Sequence, residues 1–282
     1  MAYQNVGTSR FFINEALYHQ TAGNYINSVL ELNPSDINTY AAEAIALSLD
    51  AAPTYIMTLG QSAGLIIDTD EDVELGSNFG INTDLSEAGF SLLEYPGAAT
   101  ELGVTITGDL GAFCIGRYFD MPHSADRKGL KMSHEYKGIK RQESMGGSTL
   151  TNVNYYKPPK WGSLEAWQLG SFPRKYSGRR IWNLTFSYLS DENIEPKFYD
   201  MNEDSTEPAW KDNWFSNVLH YTMGGALPFI FQPDKDISYT TASGEITSIP
   251  ELAICRFDMN TYTRTQVANS LYTISIKVEE SW

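Results

Sequence analysis

The chain has 282 residues, 42% hydrophobic and 13% aromatic, with 20 basic and 35 acidic side chains and a net charge of −15. That apolar content is enough for a sizeable core and excludes a disordered chain. No stretch approaches the roughly 18–20 apolar residues of a membrane span, and the first residues lack the basic start and apolar run of a secretory signal. Cys114 and Cys255 fit no zinc or redox spacing and are too few for a disulfide scaffold. Only four histidines are present, which argues against a histidine-rich metal site.

Charge is distributed in three blocks. Residues 1–120 hold two basic side chains, Arg10 and Arg117, against 16 acidic ones. Residues 121–180 hold 12 basic and 4 acidic, a net of +8, and residues 181–282 return to −9. The plain interpretation is a solvated surface with clustered charge. The sharper one is a subunit whose basic segment meets an acidic face of a neighbouring copy, because complementary charge steers association and fixes register. Head-to-tail contacts of that kind close into rings or propagate as tubes. Specific nucleic-acid binding suits a basic protein better than one with a pI of 4.6.

In chain order, the first predicted element is a helix over 37–49, opened by Ser35 or Asp36 and favoured by its alanines. Short strands follow at 102–107 (LGVTIT) and 112–118 (AFCIGRY). A boundary is expected near 120, where the charge flips and MPHSADRKG reads as an exposed turn. This gives an acidic β-rich region over 1–120 and a β-sandwich-like domain over 121–282. Residues 152–161 (NVNYYKPPKW) read as an extended loop, since Pro158-Pro159 cannot lie in a central strand. The clearest strand is 180–189, where Trp182, Leu184, Phe186 and Tyr188 alternate with Asn183, Thr185 and Ser187. A second helix is expected over 208–221, with Pro208 in its first turn, Trp210, Trp214, Val218 and Tyr221 on one face, and Gly224-Gly225 ending it. Residues 227–232 (LPFIFQ) form another short strand. In 270–279, Tyr272, Ile274, Ile276 and Val278 face one way and Thr273, Ser275 and Lys277 the other. Both long strands are rich in the β-branched and aromatic residues that suit a half-buried pleat. The predicted class is mainly β, a β-sandwich or β-barrel-like arrangement with one or two short helices.

Candidate chemistry is sparse. Asp68, Asp70, Asp72 and Glu74 place carboxylates at every second position, as in the opening of a calcium loop. Val73 and Phe79 then stand where an EF-hand needs Gly and Glu, so at most a loose calcium site remains, beside the simpler reading of a solvated acidic loop. His123 and His134 flank Asp126 and Glu135, a pairing that can serve acid–base work. No G-x-S-x-G, H-E-x-x-H or Cys/His context supports it. Gly146-Gly147-Ser148-Thr149 is a short glycine turn without the lysine of a phosphate loop. Tyr155, Tyr156, Trp161 and Trp167 offer flat rings that could stack on sugar, pack on a neighbour or fill the core. No cofactor is implied. The subunit-contact residues expected from the basic block are Arg127, Lys137, Lys140, Arg141, Arg179 and Arg180.

Several segments together resemble virion proteins of tailed bacteriophages, especially marine-type ones. They are YQNVGTSRFFIN at the start, GRYFDMPHSADRKGLKMSHEYKGIKRQESMGGSTLTN in the middle, GRRIWNLTFSYLSDENI, GGALPFIFQPDKD, and AICRFDMNTYTRTQVANSLYTISIKVEESW at the end. The resemblance runs over most of 101–282, thinly before that, and carries no catalytic signature. It implies a non-enzymatic structural role in the tail, as a tube, distal-tail or baseplate subunit. Such a protein forms homo-oligomeric rings, contacts other tail or virion proteins and is built into the virion in the host cytoplasm. It binds neither membrane nor a specific nucleic acid. The alternative is a β-sandwich glycan-binding or capsid-decoration module, and a third reading is a virion-borne glycan hydrolase, whose paired carboxylates could be far apart in sequence.

Overall fold

The computed structural model describes residues 7–15, 17–18, 39–45, 54–59, 64–69, 81–82, 90–95, 102–107, 112–135, 139–153, 160–161, 164–165, 179–195, 213–236, 239–240, 246–247 and 252–281. The fold is mainly β, as the alternating segments predict, and every strand pair among the described residues is antiparallel. One large sheet runs in the order β6 (Phe90–Tyr95), β3 (Thr54–Leu59), β8 (Ala112–Asp120), β1 (Arg10–Phe12), β15 (Phe229–Gln232), β18 (Ala253–Phe257), β20 (Leu271–Glu280), β14 (Arg179–Ser190) and β9 (Lys131–Glu135), with β19 (Arg264–Ala268) also on β20. A four-stranded sheet holds β2 (Thr39–Ile45), β7 (Leu102–Thr107), β4 (Gly64–Thr69) and β5 (Ile81–Asn82). Three two-stranded pieces are β10 (Ile139–Glu143) with β11 (Thr149–Val153), β12 (Lys160–Trp161) with β13 (Leu164–Glu165), and β16 (Tyr239–Thr240) with β17 (Ile246–Thr247).

The spine of the large sheet is the pair β14–β20. Trp182 stands opposite Val278, Leu184 opposite Ile276 and Phe186 opposite Ile274, and all six side chains are buried. Each is the inward half of a period-two pattern, and burying one such side chain stabilises the fold by roughly 1.5–3 kcal/mol. The alternation breaks at one point. Between Phe186 and Leu189 the register shifts, and Tyr188 takes a left-handed φ of 63°. A bulge adds one residue and moves the following side chains to the other face. Tyr188 is therefore 70% exposed and Leu189 is buried in its place, which corrects the inward assignment of Tyr188.

The predicted strands 102–107, 112–118 and 227–232 appear as β7, β8 and β15. The helix predicted over 37–49 is not there: its centre is β2, paired along β7. Helix propensity is a weak prior, and non-local pairing overrides it. The helix predicted over 208–221 lies partly outside the described residues. Its described part is a π-helical segment, Phe215–His220, with Trp214 and Val218 buried against the sheet. The Asn213 side-chain oxygen accepts the Ser216 amide at 2.9 Å to start this segment, which ends before Gly224-Gly225. The other short helix is α1 (Asp191–Ile194), directly after β14.

The N-terminal segment is woven into the sheet. Phe11 lies between Phe119 of β8 and Phe231 of β15. Its ring meets Phe229, Phe231 and Phe257 at 5.2–6.0 Å. On the opposite face Arg10 donates to both oxygens of Asp120, from Nε at 2.6 Å and Nη2 at 2.9 Å, and stacks over the Tyr118 ring at 4.1 Å. Lys235 reaches the same carboxylate at 2.8 Å. The boundary expected near 120 thus falls at the end of β8, a strand shared by earlier and later parts of the chain. Its residues 112–117 pair with β3 and residues 118–120 with β1.

Two outcomes follow for stability. Phe186→Ala is expected to cost about 3–5 kcal/mol in chemical denaturation, whereas Tyr188→Ala, outside the core, is expected to be nearly neutral. Burial alone would raise the Asp120 carboxyl, but hydrogen bonds and charge from Arg10 and Lys235 outweigh it and hold it below the ordinary value of 3.8. A depressed carboxyl pKa contributes stability above its unfolded value and loses it as the pH falls through the folded value. Asp120→Ala is therefore expected to cost about 1–3 kcal/mol at pH 7. That cost should shrink as the pH is lowered below about 4 in a pH series of urea melts.

Candidate subunit interface

The basic block 121–180 contains a hairpin whose described side chains are almost all exposed. Strands β10 and β11 form a hairpin that pairs from Ile139↔Val153 to Glu143↔Thr149 and, among the described residues, belongs to no larger sheet. From 140 to 151 every residue except Ser144 is exposed. The local sequence explains the turn. The Gly147 amide donates to the Ser144 carbonyl at 2.9 Å, and the Ser144 amide to the Ser148 carbonyl at 2.8 Å. Gly147 sits at φ 80°, the left-handed position that a three-residue hairpin loop with a glycine bulge demands. Met145 is the tip of this loop and is fully exposed, and Leu150 on the hairpin is 60% exposed. Lys140 and Arg141 stand on the stem, exposed and without an ion pair to any described residue. An isolated two-stranded hairpin is marginal in water and gains from cover.

The six expected contact residues fare differently. Lys140 and Arg141 are on the hairpin, Arg127 is exposed in the turn before β9, and Lys137 lies outside the described residues. Arg179 is half-buried and faces Glu279 at 3.4 Å. Arg180 is corrected: it is 5% exposed and turned into the core. Its Nε and Nη2 donate to the two oxygens of Glu280 at 3.1 and 2.9 Å, and its guanidinium lies 5.1 Å from the Trp182 ring centre. In antiparallel pairing Arg180 and Glu280 fall opposite each other on the inward face, so Arg180 neutralises a buried carboxylate and is not a surface group.

The other candidates do not assemble into a site. Asp68 is in β4, while Asp70, Asp72 and Glu74 lie outside the described residues, as do Tyr155, Tyr156 and Trp167. Among the described residues no group of three or more His, Cys, Asp or Glu is placed to hold a metal ion, and no helix is long and apolar enough to cross a membrane. His123 directs Nδ1 at the Ser124 carbonyl, 2.8 Å away. Asp126 accepts the Ser187 hydroxyl at 2.5 Å and so ties the 121–130 turn to the bulge of β14. His134 is exposed on β9, opposite Arg180 in register.

One polar cluster has no counterpart in the sequence analysis. Arg117 of β8 pairs with Glu15, donates to Asn217 Oδ1 at 3.3 Å, and lies 4.7 Å from the Tyr221 ring centre. Tyr18 and His220 share a hydrogen bond at 3.0 Å beside it. Burial pushes the Glu15 carboxyl up against the pull of Arg117. Glu15 is buried, and through Arg117 the cluster fastens the N-terminal segment to the π-helical turn. Gly116 makes room for it: a Cβ there would stand 2.1 Å from the Ile13 carbonyl oxygen. The available signal was Arg117 itself, a lone cation inside an apolar strand.

No known protein family, curated protein or solved structure matches the chain.

Cys255 is buried and Cys114 is partly buried. Burial pushes the Cys114 thiol up to about 12, and burial together with the Glu280 charge raises Cys255 well above its ordinary value. Because the thiolate is the reactive form, neither is expected to react with an aromatic disulfide reagent at pH 8 until the protein is unfolded. Rapid release of reporter thiolate from the native protein would contradict this placement.

Proposed function

We propose that the chain is a non-enzymatic structural protein of a tailed-phage virion, a tail tube, distal-tail or baseplate subunit that assembles with copies of itself into rings. The observation that carries the proposal is the β10–β11 hairpin. It is exposed on both faces, basic on its stem and apolar at its tip, on a chain whose net charge is −15. Such an arm meets the acidic surface of the next copy head to tail, and contacts of that type close into rings. The resemblance of the segments around 101–282 to phage virion proteins points the same way. Other tail proteins are then its partners, and an acidic wall facing a tail lumen would let DNA slide without sticking.

A second reading, a glycan-binding or capsid-decoration module, is favoured by one specific feature. A groove of about 330 Å³ along β14, β20 and β19 is lined by Asn183, Thr185, Thr265, Thr273, Ser275 and Lys277. These are the hydroxyl, amide and ammonium groups that exchange hydrogen bonds with sugar hydroxyls.

Native mass measurement and electron microscopy separate the two. The purified protein is expected to give symmetric multimers, and the triple variant Lys137→Glu, Lys140→Glu, Arg141→Glu to stay monomeric with an unchanged melting temperature. Added salt should weaken wild-type association. Normal assembly of the triple variant would discard the hairpin as the contact. A protein that stays monomeric and binds a glycan array would favour the second reading.

A further inference from the structure

The β10–β11 hairpin carries the pair Lys140-Arg141 on a stem that little holds shut. Its two strands pair only with each other among the described residues, and residues 140–143 and 145–151 are exposed. Opening the stem breaks a few backbone hydrogen bonds and uncovers almost no apolar surface, which puts it at the low end of the local-opening free energies of a folded chain. The body behaves differently. Across β14 and β20 six facing side chains are buried, and any opening there uncovers them. An endoprotease takes its substrate as an extended strand, hydrogen-bonded along the backbone with side chains entering alternate pockets. A segment must leave its own sheet to be held this way, and exposed turns and their flanks are where chains are nicked. The hairpin meets this demand without disturbing the core.

We infer that the bond between Arg141 and Gln142 is a cleavage site for an endoprotease whose acidic pocket takes the basic side chain before the scissile bond, and that the cut leaves the body folded. Arg141 enters that pocket with Lys140 beside it, and both are exposed. Water is the co-reactant: the amide bond breaks, Arg141 gains a carboxylate and Gln142 an amino group. The fragments 1–141 and 142–282 stay joined by the fold. β9 of the first pairs with β14 of the second over five residues, and β1 with β15 over three. The Phe11 ring packs on Phe229, Phe231 and Phe257 across the cut, and Arg117 and Asp120 meet Asn217 and Lys235. The cut severs β10 between its third and fourth residues, so the stem loses its pairing while the large sheet stays closed. The consequence for assembly rests on the hairpin contact proposed above: a nicked copy keeps its body and loses its arm, and an assembled copy, its arm covered, is protected.

Limited digestion of the full-length protein with trypsin, read by intact mass, is the test. A pair of fragments meeting after residue 141 is expected. The two should elute together on a sizing column and keep the tryptophan fluorescence of the uncut protein. The variant Lys140→Gln with Arg141→Gln should not give this pair. Gln142 and Leu150 face each other across the stem, so Gln142→Cys with Leu150→Cys places two thiols where a disulfide can staple the hairpin. The oxidised staple is expected to be cut about 10-fold or more slowly than its reduced form, because cleavage follows the population of the open stem. An intact Arg141–Gln142 bond, at a protease dose that digests the urea-unfolded chain, overturns the inference. So does a cut whose fragments separate or unfold. Equal rates for the oxidised and reduced staple overturn opening of the stem as the cause. Where wild type forms multimers, these are expected to resist the cut. Multimers cut as fast as free copies would leave the site standing and overturn the hairpin contact of the ring reading.

Discussion

The β14–β20 pairing is the constraint on which the rest of the described sheet depends. Eight opposed residue pairs run along it, and it anchors β9 on one side and β18 and β19 on the other. Its inward side chains form the floor on which Trp214 and Val218 of the π-helical segment rest. A shift of one residue in this register would send Trp182, Leu184 and Phe186 to the solvent face together. The bulge at Tyr188 is therefore confined to the end of the strand, past these three residues. There the Asp126 carboxylate holds it in place through Ser187.

Two buried ion pairs limit how the sheet can be assembled. Arg180–Glu280 joins the ends of β14 and β20, and Arg117–Glu15 joins β8 to the N-terminal segment. A buried pair seldom adds much net stability, because desolvation offsets the Coulomb gain, but leaving one partner alone is costly. Their effect here falls on specificity. A slipped β14–β20 register would strand both a guanidinium and a carboxylate in the core. A detached N-terminal segment would leave Arg117 uncompensated beneath Tyr221. These charges penalise wrong pairings more than they reward the right one.

What could be read from the sequence follows from how local each feature is. Trp182, Leu184 and Phe186, and their partners Ile274, Ile276 and Val278, are legible because a strand's period is written in consecutive residues. Tyr188 is not, because a bulge depends on the partner strand and on an acidic side chain 61 residues away along the chain. The alanines of 39–45 favour a helix locally and lose to β7, which the local sequence cannot show. Arg180 looks like a surface cation until Glu280, 100 residues later, is placed opposite it. For the candidate interface, Lys140 and Arg141 are legible as charge and Gly146-Gly147 as a turn. The exposure of Met145 comes only from tertiary structure.

Folding also sharpens the charge pattern of the sequence. The first 120 residues contain only two cations, and both are used internally, Arg10 on Asp120 and Arg117 on Glu15. The remaining acidic side chains of that segment thus have no cation of their own segment to meet. In the basic block, Arg179 and Arg180 turn to Glu279 and Glu280, while Lys140 and Arg141 stay on the exposed hairpin. Among the described cations of this block, Arg180 is consumed near the core, while Lys140 and Arg141 stay exposed on the hairpin and Arg127, Lys128 and Lys131 on the turn and strand before it. In the proposed ring the basic hairpin and the acidic segments lie apart in the chain, so a contact between them would run from one copy to the next.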